Sequence, residues 1–313
     1  MHLHAPPKSP LICHLLAYRK TRLGEYFLFF ELFSCNLGMC IQRSSDRGDV
    51  IDVRQAIRWT RNLAAAVAFL HSRRVSHRDL KPVNILLRKM DDGRLPAATA
   101  EQSQPLATSD QCQPAATEKW EAAIADFGNS AIVQSNRRAS HWGGACTLET
   151  WAATGRALSR KVCTLWYAAP EMIVPDAPYG YPADIWSLGL VLLEIEAREV
   201  ACPTRPRAPD LEQLQAFWHL CQPSSAGIPS SSLANRVRKM LARNNVYPWL
   251  GTYGLIMASG RVRRRSDVGE LYGPQFRTLA FRLLNFEPQL RISARHLSEW
   301  RDLSFQRYAN DRW

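Results

Sequence analysis

The sequence predicts an α+β fold in which a small β-rich N-terminal part precedes a larger, mostly helical body. Three observations predict it. Residues 26–33, Tyr-Phe-Leu-Phe-Phe-Glu-Leu-Phe, are aromatic and apolar with little alternation, and the run suits a short buried strand better than a helix. Ile57, Ala64, Val67 and Leu70 recur at helical intervals behind Asp52-Val53-Arg54-Gln55, which has the spacing of a helix N-terminal capping box. Ile185 to Ile195 is apolar nearly all round, as in a helix at the centre of a domain.

In chain order, Leu11 to Arg19 reads as a first strand, and Lys20 to Glu25 carries the turn into the aromatic one. The helix that starts after Asp52 runs to His71 and delivers the chain to a polar loop, His77-Arg78-Asp79-Leu80-Lys81-Pro82-Val83-Asn84. From Arg88 to Lys119 the composition turns to Ala, Gln, Ser, Thr and Pro. So few large apolar residues cannot offset the entropy of ordering, so a flexible insertion is expected. Asn129 to Arg160 is a second polar stretch containing Gly and Ser. Beyond Ile195 the pattern is helices and loops, with a basic loop at Arg261 to Arg265 and no internal repeat.

With 313 residues and 46% hydrophobic content the chain can bury a substantial core, which excludes a disordered protein. Forty Lys and Arg against 28 Asp and Glu leave +12, a weakly favourable field for acidic partners. The charge is scattered and no recognition motif accompanies it, so no specific nucleic-acid partner is expected. The cysteines at 13, 35, 40, 112, 146, 163, 202 and 221 form no Cys-x-x-Cys pair and read as reduced thiols of an intracellular protein of the cytoplasm or nucleus. No run approaches the roughly 18 apolar residues of a membrane span. His2 and His4 lack the carboxylate or Cys neighbours of a metal site.

The chemistry is concentrated in four motifs. The 77–84 loop holds a base, a cation suited to phosphate and an amide suited to a metal; Asp126-Phe127-Gly128, Ala169-Pro170-Glu171 and Asp184-Ile185-Trp186-Ser187-Leu188-Gly189 follow in that order. Together they resemble the catalytic domain of a eukaryotic Ser/Thr protein kinase, closest to the cyclin-dependent and related kinases, which Thr164-Leu165-Trp166-Tyr167 also resembles. Ala168 and Ala131 depart from that subgroup, standing where arginines are expected.

The resemblance implies a protein-kinase-like fold, a mostly helical large lobe with a truncated β-rich small lobe. Residues 1–33 would be a small-lobe remnant with the hinge strand, 34–304 the large lobe and 305–313 a tail. Within the large lobe lie the 88–119 insertion, an activation segment at 126–171 and a group-specific insert at about 222–273.

It also implies ATP-dependent phosphorylation of protein serine or threonine, with ATP and Mg²⁺. Asp79 would accept the hydroxyl proton, Lys81 would contact the transferring phosphate, and Asn84 with Asp126 would hold Mg²⁺. Phe30 would gate the nucleotide pocket, the backbone of Glu31 and Phe33 would bond adenine, Leu86 would lie under the base, and Asn36 would meet the ribose. Ser159 occupies the phosphorylated position of the activation loop, with Arg78 as its receiving cation and Thr164 as the Ser/Thr-class residue. Glu171 with Arg291 would form a buried structural ion pair, and Asp184 would be structural.

No Gly-x-Gly-x-x-Gly loop and no Val-Ala-Ile-Lys-like strand precede residue 26, and Lys8 and Lys20 are the only upstream lysines. The expectation is a kinase whose full-length product carries that part. The alternative is a catalytically impaired pseudokinase or truncated product acting as a protein-binding scaffold. The expected partners are a protein substrate and a regulatory subunit or scaffold partner.

Overall fold

A computed structural model describes residues 11–90, 119–133, 164–204, 210–221, 232–244, 256–257, 260–261 and 265–299. Ser159, the 91–118 segment and the tail lie outside the described residues. Strands β1 (Leu15–Lys20) and β2 (Tyr26–Phe30) form an antiparallel hairpin in which Tyr18 faces Leu28 and Lys20 faces Tyr26. Gly24, at φ +86°, closes the turn, and Thr21 N–H donates to Glu25 C=O at 2.8 Å. The expected strand is present, but it is not buried: Phe27 and Phe29, on the face opposite Tyr18 and Leu28, are 53% and 52% exposed. Among the described residues no third strand pairs with the hairpin, and a period-2 chain apolar on both faces cannot hide both without neighbours.

The segment ahead of the hairpin does have a partner. Ile12 bridges Ile124, Cys13 N–H donates to Ile124 C=O at 2.8 Å, and Ile124 N–H donates to Leu11 C=O at 2.9 Å. Ile124 ends β6 (Trp120–Ile124), the edge of an antiparallel sheet ordered β3 (Cys35–Asn36), β5 (Ile85–Lys89), β6. Arg88 and Lys89 pair with Glu121 and Trp120, and Met90 N–H donates to Lys119 C=O at 2.8 Å. The ladder therefore reaches into the first residues of the compositionally biased stretch. A second short pair, β4 (Val75–Ser76) with β7 (Ala131–Ile132), brackets the polar loop. A two-residue pair, β8 (Ile256–Met257) with β9 (Gly260–Arg261), lies far from it in sequence.

Helix α1 (Leu37–Arg47) starts where Asn36 Oδ1 accepts the Met39 N–H at 2.9 Å, and it stops at Gly48, whose φ of +75° suits a residue without Cβ. Helix α2 (Val53–Ser72) is capped by Asp52, whose Oδ1 accepts from Arg54 N at 2.9 Å and Gln55 N at 3.2 Å. Only half of the expected capping box forms. Gln55 turns away and grips Trp120 of β6 at both ends, donating to its C=O at 2.8 Å and accepting its N–H at 3.2 Å.

The core sits on α4 (Tyr181–Ala197), which follows the short α3 (Pro170–Ile173) and is buried continuously from Ala183 to Glu196. Helices α5 (Asp210–Cys221), α6 (Leu233–Arg243), α7 (Pro274–Leu283) and α8 (Ala294–Glu299) complete the body. Helix α6 lies within residues 222–273. Trp186 meets Phe217 and Phe286 edge-on, with centroids 5.0 and 5.7 Å away. Among the described residues no helix is long and apolar enough to cross a membrane.

Candidate functional site

The 77–84 loop is shaped from below by one carboxylate. Asp184, at the start of α4, accepts from Arg78 N–H at 2.8 Å on Oδ1, and from His77 N–H and Ser76 Oγ at 3.0 Å each on Oδ2. His71 Nε2, at the end of α2, lies 2.9 Å from the same Oδ2. Burial pushes the Asp184 carboxyl up, but the His71 contact and the Arg78 N–H outweigh it and hold the group below its ordinary value. The anchoring lets Arg78 adopt φ +68°, a left-handed conformation that an L-residue takes only when its surroundings impose it.

That turn brings Asp79, Lys81, Asn84 and Thr164 together. Lys81 Nζ donates to Asp79 Oδ2 at 2.9 Å and to Thr164 Oγ1 at 2.8 Å. Thr164 N–H donates to Asp79 Oδ1 at 3.1 Å. Asn84 Nδ2 donates to the Asp79 carbonyl at 2.9 Å, and the 3-10 turn Pro82–Asn84 sets its direction. Asp79 is 5% exposed, so these donors replace water around a buried charge.

A second arm carries Asp126. Ala125 N–H donates to Asn84 C=O at 2.9 Å, and His77 Nε2 lies 3.0 Å from Ala125 C=O, so the two arms are joined at their roots. Asp126 has φ +61°, is exposed, and accepts the Gly128 N–H at 3.2 Å; Phe127 packs edge-on against His77 at 5.1 Å. Asn84 spends its Nδ2 on Asp79, leaving its amide oxygen as the donor to a cation. Among the described residues no group of three His, Cys, Asp or Glu could hold a metal. An amide oxygen and an exposed carboxylate fit a hard ion such as Mg²⁺, which completes its shell with water and phosphate oxygens.

Of the residues expected around a nucleotide base, Phe30, Asn36 and Leu86 lie on β2, β3 and β5, and Glu31 and Phe33 lie in the segment between β2 and β3. Asn36 and Leu86 are register partners, and Phe30 ends β2. Glu31 turns its carboxylate inward: Oε1 accepts the His14 N–H at 2.9 Å, and Oε2 lies 3.2 Å from Arg88 Nη1. Arg88 also holds Glu121 at 2.8 Å and lies over the Phe33 ring at 5.2 Å, so the segment is clamped to β5 and β6. The Asn36 side chain is the α1 cap, with its oxygen on Met39 N–H.

Arg78 points its guanidinium at the Asn129 carbonyl, the Ser130 carbonyl at 3.4 Å and Tyr179 Oη at 3.5 Å. Its expected partner Ser159 is outside the described residues. Glu171 and Arg291 meet in a bidentate pair of 2.6 and 2.7 Å. Sequence reasoning missed Glu194, whose Oε2 accepts the Tyr167 hydroxyl. Burial pushes its carboxyl up to about 7 despite that bond, and pushes the Tyr167 phenol up as well. An acid inside an otherwise apolar helical run was the available signal. Asn129 carried none.

A family profile described as protein kinase domain matches residues 1–301. A cyclin-dependent kinase 2 homolog of Crithidia fasciculata is 26% identical over 268 residues, covering 75% of this chain and 55% of that protein. The cell division control protein 2 homolog 1 of Trypanosoma brucei brucei is 25% identical over 265 residues, covering 84% of this chain and 69% of that protein. The chain thus spans about half of the first relative's length. A solved structure of the CAK complex of Chaetomium thermophilum bound to ATP-gamma-S matches 96% of this chain and 73% of that one with TM-score 0.61 and 22% identity, a likeness of fold.

Proposed function

The chain belongs to the protein kinase family, and on that premise we propose that it carries the transfer machinery for ATP-dependent phosphorylation of protein serine or threonine. The observation that carries the reading is the joining of Asp79, Lys81 and Thr164 by bonds of 2.8 to 3.1 Å in a site 5% exposed at its carboxylate. Asp79 accepts the proton of the substrate hydroxyl, and Lys81 turns its ammonium to the moving phosphate. Asn84 and Asp126 hold Mg²⁺, which neutralises phosphate charge when bound. The protein's task is alignment, and Asp184 supplies it by fixing the loop through two backbone N–H groups.

On the same reading the backbone of Glu31 and Phe33 bonds adenine beside Phe30, Leu86 packs under the base, and Asn36 offers its amide nitrogen to the ribose. Ser159, phosphorylated, would compete with the Asn129 and Ser130 carbonyls for Arg78. A second reading, a protein-binding scaffold that transfers no phosphate, is favoured by the hairpin, where Leu16 and Tyr18 are 63% and 68% exposed.

The test is Mg-ATP binding and phosphate transfer to a generic basic protein by the purified chain, with Asp79→Asn and Asp126→Asn beside it. Transfer abolished by both substitutions is expected. A folded chain that binds no nucleotide and transfers nothing overturns the catalytic reading in favour of the scaffold.

A further inference from the structure

Asn129 follows the Asp126-Phe127-Gly128 turn and closes a single 3-10 turn, Phe127–Asn129. It touches two consecutive residues of the opposite loop by two different groups. Its backbone carbonyl accepts from Arg78 Nε, and its side-chain Nδ2 donates to Asp79 Oδ2 at 3.3 Å. Any residue at this position would supply the first contact. Only an amide or a comparable donor supplies the second.

The two oxygens of Asp79 are loaded unequally. Among the described residues Oδ1 accepts from Thr164 alone, through N–H at 3.1 Å with Oγ1 at 3.5 Å. Among the described residues Oδ2 faces three donors: Lys81 Nζ at 2.9 Å, Asn129 Nδ2 at 3.3 Å and Asn84 Nδ2 at 3.4 Å. A carboxylate oxygen offers two lone-pair sites, so the third donor is held in waiting at the longer distances. Lys81 is the donor that must leave when its ammonium turns to a phosphate. Asn84 already has a shorter bond to the Asp79 carbonyl at 2.9 Å, which restrains its amide.

We propose that Asn129 is a positioning residue for the base: its amide takes over Asp79 Oδ2 when Lys81 leaves, so that the carboxylate does not rotate while it receives the substrate hydroxyl. The proposal rests on the reading of Asp79 as the base. It requires no new atom in the reaction, since the proton still moves from the hydroxyl to Asp79 and Asn129 only donates a hydrogen bond. A rotating carboxylate would present the hydroxyl with an ill-directed lone pair, a loss of alignment that lowers turnover and leaves nucleotide affinity alone.

Asn129→Leu keeps the backbone carbonyl on Arg78 and deletes only the amide, which separates the two contacts. Its kcat should fall about tenfold or more, the worth of one hydrogen bond to a charged group, with KM for Mg-ATP unchanged. Asn129→Asp, which sets a second carboxylate against Asp79, should fall further, whereas Asn129→His, able to donate again, should recover part of the loss. Equal kcat in the natural chain and Asn129→Leu, or a loss confined to KM, overturns the proposal. A readout free of turnover accompanies it: the side-chain amide resonance of Asn129, assigned by its disappearance in Asn129→Leu, should shift in Asp79→Asn, and should shift in Lys81→Met as well, where the amide takes over the oxygen that the ammonium has left. An amide indifferent to Asp79→Asn overturns the contact. A natural chain without transfer defeats the catalytic reading instead, and the amide response still decides whether Asn129 holds Asp79.

Discussion

Glu171 and Arg291, 120 residues apart in sequence, face each other at 2.6 and 2.7 Å with both side chains 1% exposed. The guanidinium also donates to the Asn285 carbonyl at 2.7 Å and the Pro182 carbonyl at 2.9 Å, and lies 5.0 Å over the Trp186 ring. One side chain thereby ties α3, the first turn of α4 and the segment after α7.

Glu171→Ala leaves that guanidinium buried with carbonyls and a ring as its only company. Breaking a buried pair from one side costs about 3–5 kcal/mol, because the remaining charge has lost both water and counter-ion. Denaturant unfolding of the natural chain and the variant should show that difference. A change below about 1 kcal/mol would mean that water reaches Arg291 when the carboxylate goes.

Asp184→Asn should loosen the loop that carries Asp79. An amide presents one acceptor oxygen where the carboxylate presents two, so the four donors now gathered on Asp184 cannot all be satisfied; about 2–4 kcal/mol of destabilisation follows from unmet buried donors. The pH dependence has a fixed sign. The carboxyl lies below its ordinary value of 3.8, so its contribution is complete above that value and is lost as pH falls through the lower folded one. Unfolding free energies measured from pH 6 towards acid should fall more steeply for the natural chain than for Asp184→Asn. Parallel curves would refute the linkage.

Much of this arrangement could be read from the sequence, because local chemistry specified it. Asp52 announces α2 by its spacing to the first-turn N–H groups, and Ile185 to Ile195 announces a buried helix by having no polar face. The 77–84 loop and Asp126 stood out because their residue types, spacing and order resemble the protein-kinase motifs. What could not be read depended on partners remote in sequence. Gln55 satisfies a capping pattern yet bonds Trp120, 65 residues away, because a buried backbone there needs both a donor and an acceptor. The aromatic 26–30 run has the composition of a buried strand, and composition does not disclose whether neighbours cover it. Asn129 falls on Asp79 only because two loops happen to be joined at Ala125 and Asn84.

Glu194 should make the fold less stable as pH rises through neutrality. Its folded value of about 7 lies above the ordinary 4.5, so the folded chain keeps a proton that the unfolded chain releases between those values. The associated stability is complete below 4.5 and is lost as pH rises through about 7, an effect of at most about 3 kcal/mol by linkage. Glu194→Gln keeps an oxygen for the Tyr167 hydroxyl and removes the titration. Relative to the natural chain, the variant should gain stability between pH 5 and pH 8. A difference independent of pH would show that Glu194 stays ionised in the folded state.

Gly189 of α4 packs against the C-terminal end of α7, and a side chain there would collide with it. A Cβ built there would stand 2.8 Å from Leu284 Cγ, 2.9 Å from Leu284 Cδ2 and 3.0 Å from Leu283 Cβ. Two effects oppose each other in Gly189→Ala. Helix propensity favours alanine by about 1 kcal/mol, whereas forcing a methyl into a packed helix contact costs about 1–3 kcal/mol. Leu283 and Leu284 are 0% and 2% exposed and have little room to withdraw, so overpacking should prevail. Gly189→Ala should lower the unfolding midpoint, and shortening the neighbour with Leu284→Ala in the same chain should make the alanine less harmful than it is alone. Additive losses in that double-mutant cycle would show that the two sites do not press on one another.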